Sequence, residues 1–290
     1  MMAKKSFLEF HQLDVDVLNM ILARAEELAR AWSLRTMPQC LAGKSVAVIA
    51  DDTGWRNTTT FDLGVRAMGG LSVLPPVRFN VRETTADLAG YLDNWFDILI
   101  VRTRSLETLR ELANFAKVPV INARTATNHP CETLGDLAYI KTKRGSVDGL
   151  KVVGVAPDAN ILRSWVEASI ALPIEVVQVY PQQWHVRDDT LLNKSFRAST
   201  DMNELLDADV IITDSWATGG DSEQFKNFMI TGSFLDQLKS NAVFLPCPPV
   251  LRGQEVSVDA MEHVLCQSRD AKAYLLHAQN ALLEWIISTS

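Results

Sequence analysis

The sequence has no long apolar run and no extended basic run. Its most apolar stretches, such as 98–101 and 210–212, are far shorter than the roughly 20 residues of a membrane-spanning helix. Residues 1–10 also lack the apolar segment of a secretory signal. The net charge is −7, and lysine and arginine gather only at 4–5 and 141–144. We therefore expect neither a membrane nor a nucleic acid as the main partner, whereas an anionic small substrate needs only a few local arginines.

Cysteine and glycine patterns argue against two further classes of protein. The four cysteines are scattered without the spacing of metal ligands, so we expect no metal site. With no export signal, a reduced chain in the cytoplasm is the simplest interpretation. The candidate dinucleotide-binding turn at 154–159 contains a proline and has no third glycine, which disfavours a nucleotide-dependent oxidoreductase. No cofactor is expected.

The length and the periodicity predict an α/β fold. A chain of 290 residues, 47% apolar and 22% charged, is long enough for two domains with separate cores. In the first half, short apolar runs alternate with helical spacing, which indicates a parallel, doubly wound sheet. The predicted strands are 45–50, 71–74, 98–101 and 118–121, and the predicted helices are 58–68, 84–94, 106–116 and 132–143, after an N-terminal helix capped by Asp14 or Asp16.

The alternation restarts after a polar hinge at 145–149. We therefore predict two doubly wound parallel-sheet domains joined by helices. One domain is 1–145, with the C-terminal helix 270–290 packing back on it, and the other is 146–269. The second half has predicted strands at 150–155, 175–179, 210–213 and 242–245 and predicted helices at 161–172 and 270–288.

Ligands of doubly wound sheets bind beyond the carboxyl ends of the strands, so the residues there are candidates for the site. After the first strand, 51–61 places glycine, hydroxyl residues and Arg56 at a helix start, an arrangement that favours a phosphate. Capping by Thr58 with a solvent-facing arginine is the alternative. Arg102 and His129 follow the third and fourth strands, and the histidine opens a helix, where a lone histidine is more often a structural cap.

In the second half, Asn160, Asp214 and Cys247 also lie just after predicted strands. Asn160 and Asp214, each taken alone, are ordinary turn residues. A lone cysteine such as Cys247 is more often a small buried apolar residue than a reactive group. Two prolines, Pro246 and Pro248, flank Cys247 and would stiffen its loop.

These motifs, in this order, resemble those of the aspartate/ornithine carbamoyltransferase family along nearly the whole chain. The segment 54–58 stands where the family has a Ser-Thr-Arg-Thr-Arg loop for the phosphate of carbamoyl phosphate, and Arg102 matches a second arginine. The most specific match is 129–137, which is similar to His-Pro-x-Gln-x-Leu-x-Asp-Leu. The segments 214–220 and 244–249 are similar to the Asp-Val-Trp-x-Ser-Met-Gly and Phe-Leu-His-Cys-Leu-Pro motifs of the ornithine branch.

The resemblance implies roles for particular residues in transfer of a carbamoyl group to an ornithine-like amino acid. Phosphate binding falls to the loop residues Gly54, Trp55, Arg56, Asn57 and Thr58 with Arg102, and carbonyl polarisation to Arg56 and His129. Glu132 stands at the carbamoyl amide, where the backbone carbonyls of Cys247 and Pro248 accept. Asp214 and Cys247 orient and deprotonate the acceptor amine, while Asn160 and Thr218 bind its carboxylate and amino group. No cofactor or metal takes part.

The family forms trimers in which a loop after the second strand reaches a neighbour's site. Here that loop is 75–82, and Arg78 or Arg82 is expected to supply charge to the phosphate site. Two solvated surface arginines are the alternative. The resemblance thus implies a homotrimer that binds carbamoyl phosphate and an amino-acid acceptor.

Several positions depart from the family pattern. The phosphate loop has Gly54, Asn57 and Thr58 in place of a serine, a threonine and an arginine, and Leu275 replaces an arginine of the last helix. Each lost charged contact costs about 1.5–3 kcal/mol of affinity. Glu132 replaces a glutamine, which indicates a changed donor, a changed acceptor, or simply an ion pair with an arginine. The alternative function is a catalytically altered or inactive homologue that binds a metabolite or a partner subunit.

Overall fold

The computed structural model describes residues 5–51, 54–79, 83–220 and 222–288. The chain divides into two compact units. The first unit ends at Thr142 and takes up the chain again from Lys272, so that it includes most of the C-terminal helix. The second unit is Lys143–Ala271.

The first unit is built on a parallel sheet whose strands alternate with helices, as the sequence predicts. The four strands are hydrogen-bonded in the order β2-β1-β3-β4. Four consecutive residues of β1, from Val46 to Ile49, are fully or almost fully buried, as expected where helices cover both faces of a parallel sheet. The elements are α1 (Val15–Leu34), β1 (Ser45–Ala50), α2 (Trp55–Ala67), β2 (Leu71–Val73), α3 (Thr85–Leu92), β3 (Ile98–Arg102), α4 (Leu106–Phe115), β4 (Val120–Arg124) and α5 (Pro130–Arg144).

The second unit holds a five-stranded parallel sheet of order β7-β6-β5-β8-β9. The last helix, α9 (Ser268–Ile287), runs into the first unit. The elements are β5 (Lys151–Val155), α6 (Asn160–Ala171), β6 (Glu175–Val179), β7 (Phe196–Ser199), β8 (Val210–Thr213), α7 (Ser222–Lys226), α8 (Gly232–Leu235) and β9 (Val243–Pro246). The α/β class and the doubly wound parallel sheets are therefore confirmed.

The start of α2 and one edge strand differ from what the sequence predicts. Helix α2 begins at Trp55, three residues before Thr58, and its N-cap is Gly54, which makes no side-chain cap hydrogen bond. Capping by Thr58 is therefore excluded, because that residue lies within the helix. The sequence does not predict strand β7, because the residues of this edge strand are half-buried or exposed and form no apolar run.

Each sheet has one point where the strand order reverses. In the first unit β1 and β3 are neighbours, with β2 and β4 outside them; in the second unit the neighbours are β5 and β8. Ligands of open α/β sheets bind beyond the carboxyl ends of such strand pairs. The candidate residues after β1 and β3, and those after β5 and β8, therefore lie where this topology provides a site.

Among the residues that the structure describes, no helix has both the length and the apolar composition to cross a bilayer.

Candidate active site

The N-terminus of α2 and the end of β3 meet in the first unit. The backbone of Gly54 lies directly against the guanidinium of Arg102, so closely that a Cβ atom at position 54 would overlap with the guanidinium carbon and Nε. Backbone N–H groups in the first turn of a helix carry a partial positive charge. The fold thus joins a helix N-terminus and an arginine at the sheet's reversal point, a combination that favours an anion.

Trp55 and Arg56 form the exposed first turn of α2. The guanidinium carbon of Arg56 lies 5.0 Å from the centroid of the Trp55 ring, which is cation–π geometry. Trp55 is 63% exposed, unusual for so large an apolar side chain. Arg56 also acts electrostatically on Glu132, whose pKa it helps to lower. Arg56 therefore adds positive charge at the helix end that holds Gly54.

The side chains of Asn57 and Thr58 are engaged within the protein. Asn57 is buried; its Nδ2 donates to the carbonyl of Ala123 at 3.1 Å, and its Oδ1 accepts from Gln279 at 3.2 Å. The hydroxyl of Thr58 donates to the carbonyl of Trp55 at 3.1 Å. The structure therefore places both side chains in hydrogen bonds that brace α2.

His129 immediately precedes Pro130, the first residue of α5, as the sequence predicts. Proline is favoured at this position because a helix leaves its first N–H groups without intrahelical partners. Burial, with smaller effects of the charges of Arg102, Lys272 and Arg124, lowers the pKa of His129 to about 4, against the opposing charge of Glu132. The imidazole is therefore neutral at pH 7, with one N–H donor and one acceptor nitrogen.

Glu132 pairs with Lys272 of α9. The ammonium contacts Glu132 Oε1 directly and lies 3.3 Å from Oδ1 of Asp136, one turn further along α5. The expected ion pair therefore forms with a lysine rather than an arginine. Burial raises the pKa of Glu132, but the charge of Lys272, with smaller effects of His129 and Arg56, outweighs burial and holds the pKa below its ordinary value.

Leu275 contributes packing in place of the family's arginine. It is 2% exposed, and its backbone lies so close to Gly135 that a Cβ atom there would be 2.9 Å from the Leu275 Cα. Helices α5 and α9 therefore pack with their backbones close together. That close approach brings Lys272, one turn before Leu275, against the acidic residues of α5.

Two charged residues of this region, Arg124 and Lys272, are not among the site residues that the sequence predicts. Arg124 ends β4 and pairs in register with Arg102 of β3. The apolar run predicts a strand that ends at 121, three residues before Arg124, so a search of the residues after predicted strands does not identify this arginine. Lys272 lies three residues before Leu275, and helical spacing alone would have placed the two on one face.

In the second unit, the backbone brings the ends of β8 and β9 together. The amide of Cys247 donates to the carbonyl of Thr213 at 3.1 Å, which sets Cys247 beside Asp214. Oδ1 of Asp214 accepts from the amide of Ser215 at 2.7 Å. The Sγ of Cys247 lies 4.0 Å from the carbonyl oxygen of Pro248. The predicted neighbours Asp214, Cys247 and Pro248 are thus held in one place.

Asn160 is the first residue of α6, directly after the β5 turn. The preceding Asp158 is held by Arg163, whose Nε donates to Oδ1 at 2.6 Å and whose second nitrogen donates to Oδ2 at 2.9 Å. This fork fixes the turn that presents Asn160 at the reversal point of the second sheet.

Thr218 lies on a loop that an aromatic cluster supports. The hydroxyl of Tyr180 accepts from the amide of Ala217 at 3.3 Å, and burial raises the Tyr180 pKa to about 12. Gly219 has φ +85°, a conformation that favours glycine, and Gly220 packs on the ring of Phe225. The loop backbone that carries Thr218 is therefore tied to the core.

The segment 75–82 carries two arginines, Arg78 and Arg82. Arg78 is exposed in the part of the segment that the structure describes, and Arg82 lies outside the described residues. No cluster of three or more histidine, cysteine, aspartate or glutamate residues suited to a metal ion occurs among the residues described.

Family models match nearly the whole chain. The carbamoyl-phosphate-binding domain of the aspartate/ornithine carbamoyltransferases matches residues 5–142, and the aspartate/ornithine-binding domain matches residues 148–286. The ornithine carbamoyltransferase of Nitrobacter winogradskyi is 31% identical over 265 residues, 85% of each chain. That of Desulfotalea psychrophila is 31% identical over 281 residues, 91% of this chain and 93% of the relative.

Solved structures agree with this match. The ornithine carbamoyltransferase from Pyrococcus furiosus superposes with a TM-score of 0.93 at 27% identity, covering 99% of this chain and 98% of that one. The enzyme from Thermus thermophilus gives 0.89 at 30% identity, covering 98% and 99%. With both family domains matched in order and the predicted residues at the sheet reversal points, this chain belongs to the aspartate/ornithine carbamoyltransferase family.

Proposed function

We propose that this protein transfers a carbamoyl group from carbamoyl phosphate to the amine of an ornithine-like amino acid. The observation that carries the proposal is the guanidinium of Arg102 packed against Gly54 at the N-terminus of α2. This packing creates an anion site at the reversal point of the first sheet. That sheet lies within the residues that match the carbamoyl-phosphate-binding domain. The names of the relatives, ornithine carbamoyltransferase, support the acceptor class.

The donor is held through its phosphate. Arg56, Arg102 and the first amides of α2, from Gly54 and Trp55 onward, contribute positive charge and N–H donors. Asn57 and Thr58 brace this turn through the hydrogen bonds of their side chains. Holding the donor in one orientation supplies much of the catalysis, since the transfer needs little covalent chemistry from the protein.

The carbonyl oxygen of the donor is polarised by Arg56 and His129. A neutral imidazole, which the lowered pKa of His129 provides, donates one hydrogen bond to this oxygen. Negative charge grows on that oxygen as the amine nitrogen attacks the carbonyl carbon, and donors fixed in advance stabilise it. The bond between the carbonyl carbon and the phosphate oxygen then breaks, and phosphate leaves.

The acceptor amine is bound and deprotonated by the second unit. Asp214 and Cys247, held side by side by the β8–β9 pairing, orient the amine and take its proton. Asn160 and Thr218 bind the carboxylate and the amino group of the amino acid. The backbone carbonyls of Cys247 and Pro248 accept from the carbamoyl amide, together with the carboxylate of Glu132.

A homotrimer in the cytoplasm completes the proposal. Arg78, exposed between β2 and α3, then supplies charge to the phosphate site of a neighbouring subunit. Sedimentation analysis gives the subunit number. Arg78→Ala with unchanged donor affinity in the assembled protein would exclude this role.

A second candidate function is that of a non-catalytic relative that binds a metabolite or a partner subunit. The three replacements in the phosphate loop, Gly54, Asn57 and Thr58, favour it, because Asn57 is turned into the protein and Thr58 carries no charge. The two candidates differ in whether carbamoyl phosphate binds and is consumed.

Calorimetric titration with carbamoyl phosphate tests the proposal. Arg56→Ala should weaken binding by about tenfold or more, the loss expected of one charged contact. Arg66→Ala is the matched control, because Arg66 lies on the same helix but pairs with Asp62 at 2.8 Å. If Arg56→Ala alone loses affinity, a screen of amino-acid acceptors follows. A folded wild-type protein that does not bind carbamoyl phosphate contradicts the donor and favours the second candidate.

A further inference from the structure

Three charged groups lie together where α5 meets α9. Glu132 and Asp136 are 7% and 3% exposed, and the Lys272 side chain is 19% exposed. The lysine contacts both carboxylates, Glu132 directly and Asp136 at 3.3 Å. Buried charges need partners, because an uncompensated charge away from water is costly. One ammonium therefore contacts two carboxylates, and its contact with Glu132 is the shorter of the two.

The two carboxylates respond differently to the shared lysine. Burial raises the pKa of Asp136 to about 6, although Lys272 opposes the shift. Lys272 and the groups near it instead hold the pKa of Glu132 below its ordinary value. Glu132 is thus the carboxylate that carries the charge paired with Lys272, and Asp136 is the one that gives up its charge more easily.

Glu132 belongs to the donor site by position. It lies one turn after His129, and the charge of Arg56 helps to lower its pKa. The family has a neutral glutamine here that faces the carbamoyl amide. An unpaired carboxylate in that place would repel the phosphate, since like charges within a few ångströms disfavour each other. The close pairing with Lys272 removes that repulsion.

We infer that Lys272 is a positioning residue of the carbamoyl phosphate site, an inference that rests on the proposed function. It orients the Glu132 carboxylate and neutralises its charge, so that Glu132 accepts from the amide of the donor without repelling the phosphate. A carboxylate accepts hydrogen bonds and donates none, whereas a glutamine amide does both. Glu132 therefore selects a donor that presents N–H groups at this place.

A double-mutant cycle in carbamoyl phosphate affinity tests the inference. Lys272→Met should weaken binding at least tenfold when Glu132 is present, because the carboxylate is left unneutralised. In a Glu132→Gln background the same substitution should change affinity less than threefold, since no negative charge remains at position 132. Lys272→Arg should keep most of the affinity.

Other outcomes separate this inference from the proposed function. An equal loss of affinity in both backgrounds means that Lys272 has a purely structural role, and no loss in either means that it plays no part in binding. Either result overturns the inference and leaves the proposed function standing. A folded wild-type protein that does not bind carbamoyl phosphate overturns the proposed function and the inference with it. Because Lys272→Met leaves two buried carboxylates, Lys272→Gln, which keeps a hydrogen-bond donor, is the second variant and should show the same dependence on Glu132.

Discussion

The guanidinium of Arg102 occupies the space that a side chain at position 54 would need. A Cβ atom on Gly54 would overlap with the guanidinium carbon and Nε of Arg102. The serine that the family has in this place is therefore incompatible with Arg102 as it lies here. The replacement by glycine is a change in the geometry of the anion site as well as the loss of a hydroxyl.

Gly54→Ala should lower the affinity for carbamoyl phosphate without unfolding the protein. Arg102 is a long side chain whose guanidinium can shift, so the free energy of unfolding should change by less than about 1 kcal/mol. The shifted guanidinium should weaken binding by about tenfold, as expected for a contact to a charged group. Calorimetry measures the affinity, and thermal unfolding measures the stability.

The control for this substitution is an Arg102→Ala background. There the methyl group of Gly54→Ala meets no guanidinium, so it should have little further effect on binding. An equal loss with and without Arg102 would show that position 54 acts through the helix backbone instead.

Strand β1 and helix α2 show what the sequence predicts and what it does not. The apolar run at 45–50 predicts β1 residue for residue, because a strand buried on both faces keeps a continuous apolar sequence. The sequence pattern places the start of α2 three residues late, because Gly54 has no side chain that signals a cap. Strand β7 at the sheet edge has no apolar run, so its pairing with β6 was invisible in the sequence.

Some residues of the candidate site can be predicted from the sequence, and some of its contacts cannot. Arg102 and His129 could be found because they follow strands, and the motif at 129–137 is specific. The pairing of Glu132 with Lys272 is not visible in the sequence, because the two residues are 140 positions apart and only the packing of α5 on α9 brings them together. Asn57 was predicted to bind substrate by its place in a motif, yet its hydrogen bonds run to Ala123 and Gln279.

Gly135→Ala should destabilise the protein because it forces α5 and α9 apart. A Cβ atom at position 135 would lie 2.9 Å from the Cα of Leu275, a backbone atom that cannot rotate away. Overpacking of this kind costs about 1–3 kcal/mol of the free energy of unfolding. Chemical denaturation measures the change.

Gly90→Ala is the matched control. Gly90 lies in α3, is exposed, and has no atom beyond its chain neighbours and its own helix backbone within 4 Å of the position that a Cβ would take. Because alanine favours a helix by roughly 1 kcal/mol over glycine, this variant should be as stable as the wild type or more so. Equal effects of the two substitutions would argue against the close packing of α5 on α9.

Asn57→Ala should lower the free energy of unfolding more than it lowers the donor affinity. The substitution removes two buried hydrogen bonds and leaves the carbonyl of Ala123 and the amide of Gln279 without this partner. The expected loss is about 1–3 kcal/mol. Thr60→Ala is the control on the same helix, since the Thr60 hydroxyl bonds only to carbonyls of its own helix, at 3.0 Å, and should matter little. A stable Asn57→Ala protein that no longer binds carbamoyl phosphate would instead assign Asn57 to the substrate.

His277 should make the stability of the protein depend on pH. The imidazole is 7% exposed, with ring centroids 6.4 Å from Trp32 and 5.5 Å from Tyr274, and burial lowers its pKa to about 4 from 6.5. The unfolded chain therefore binds a proton below pH 6.5 that the folded protein does not bind until about pH 4. The free energy of unfolding falls as the pH falls through this window, and His277 accounts for up to about 3 kcal/mol of the loss.

Asp136 works in the opposite direction, because its pKa is raised to about 6 and protonation of its carboxyl favours the folded state as the pH falls. The contribution of His277 is therefore read as a difference between the wild type and His277→Phe, which keeps an aromatic ring between Trp32 and Tyr274. Denaturation at several pH values should show that the variant loses less stability than the wild type between pH 6.5 and 4, the window set by the lowered pKa. Parallel curves for the two proteins across this window would mean that His277 is protonated as readily in the folded protein as in the unfolded chain.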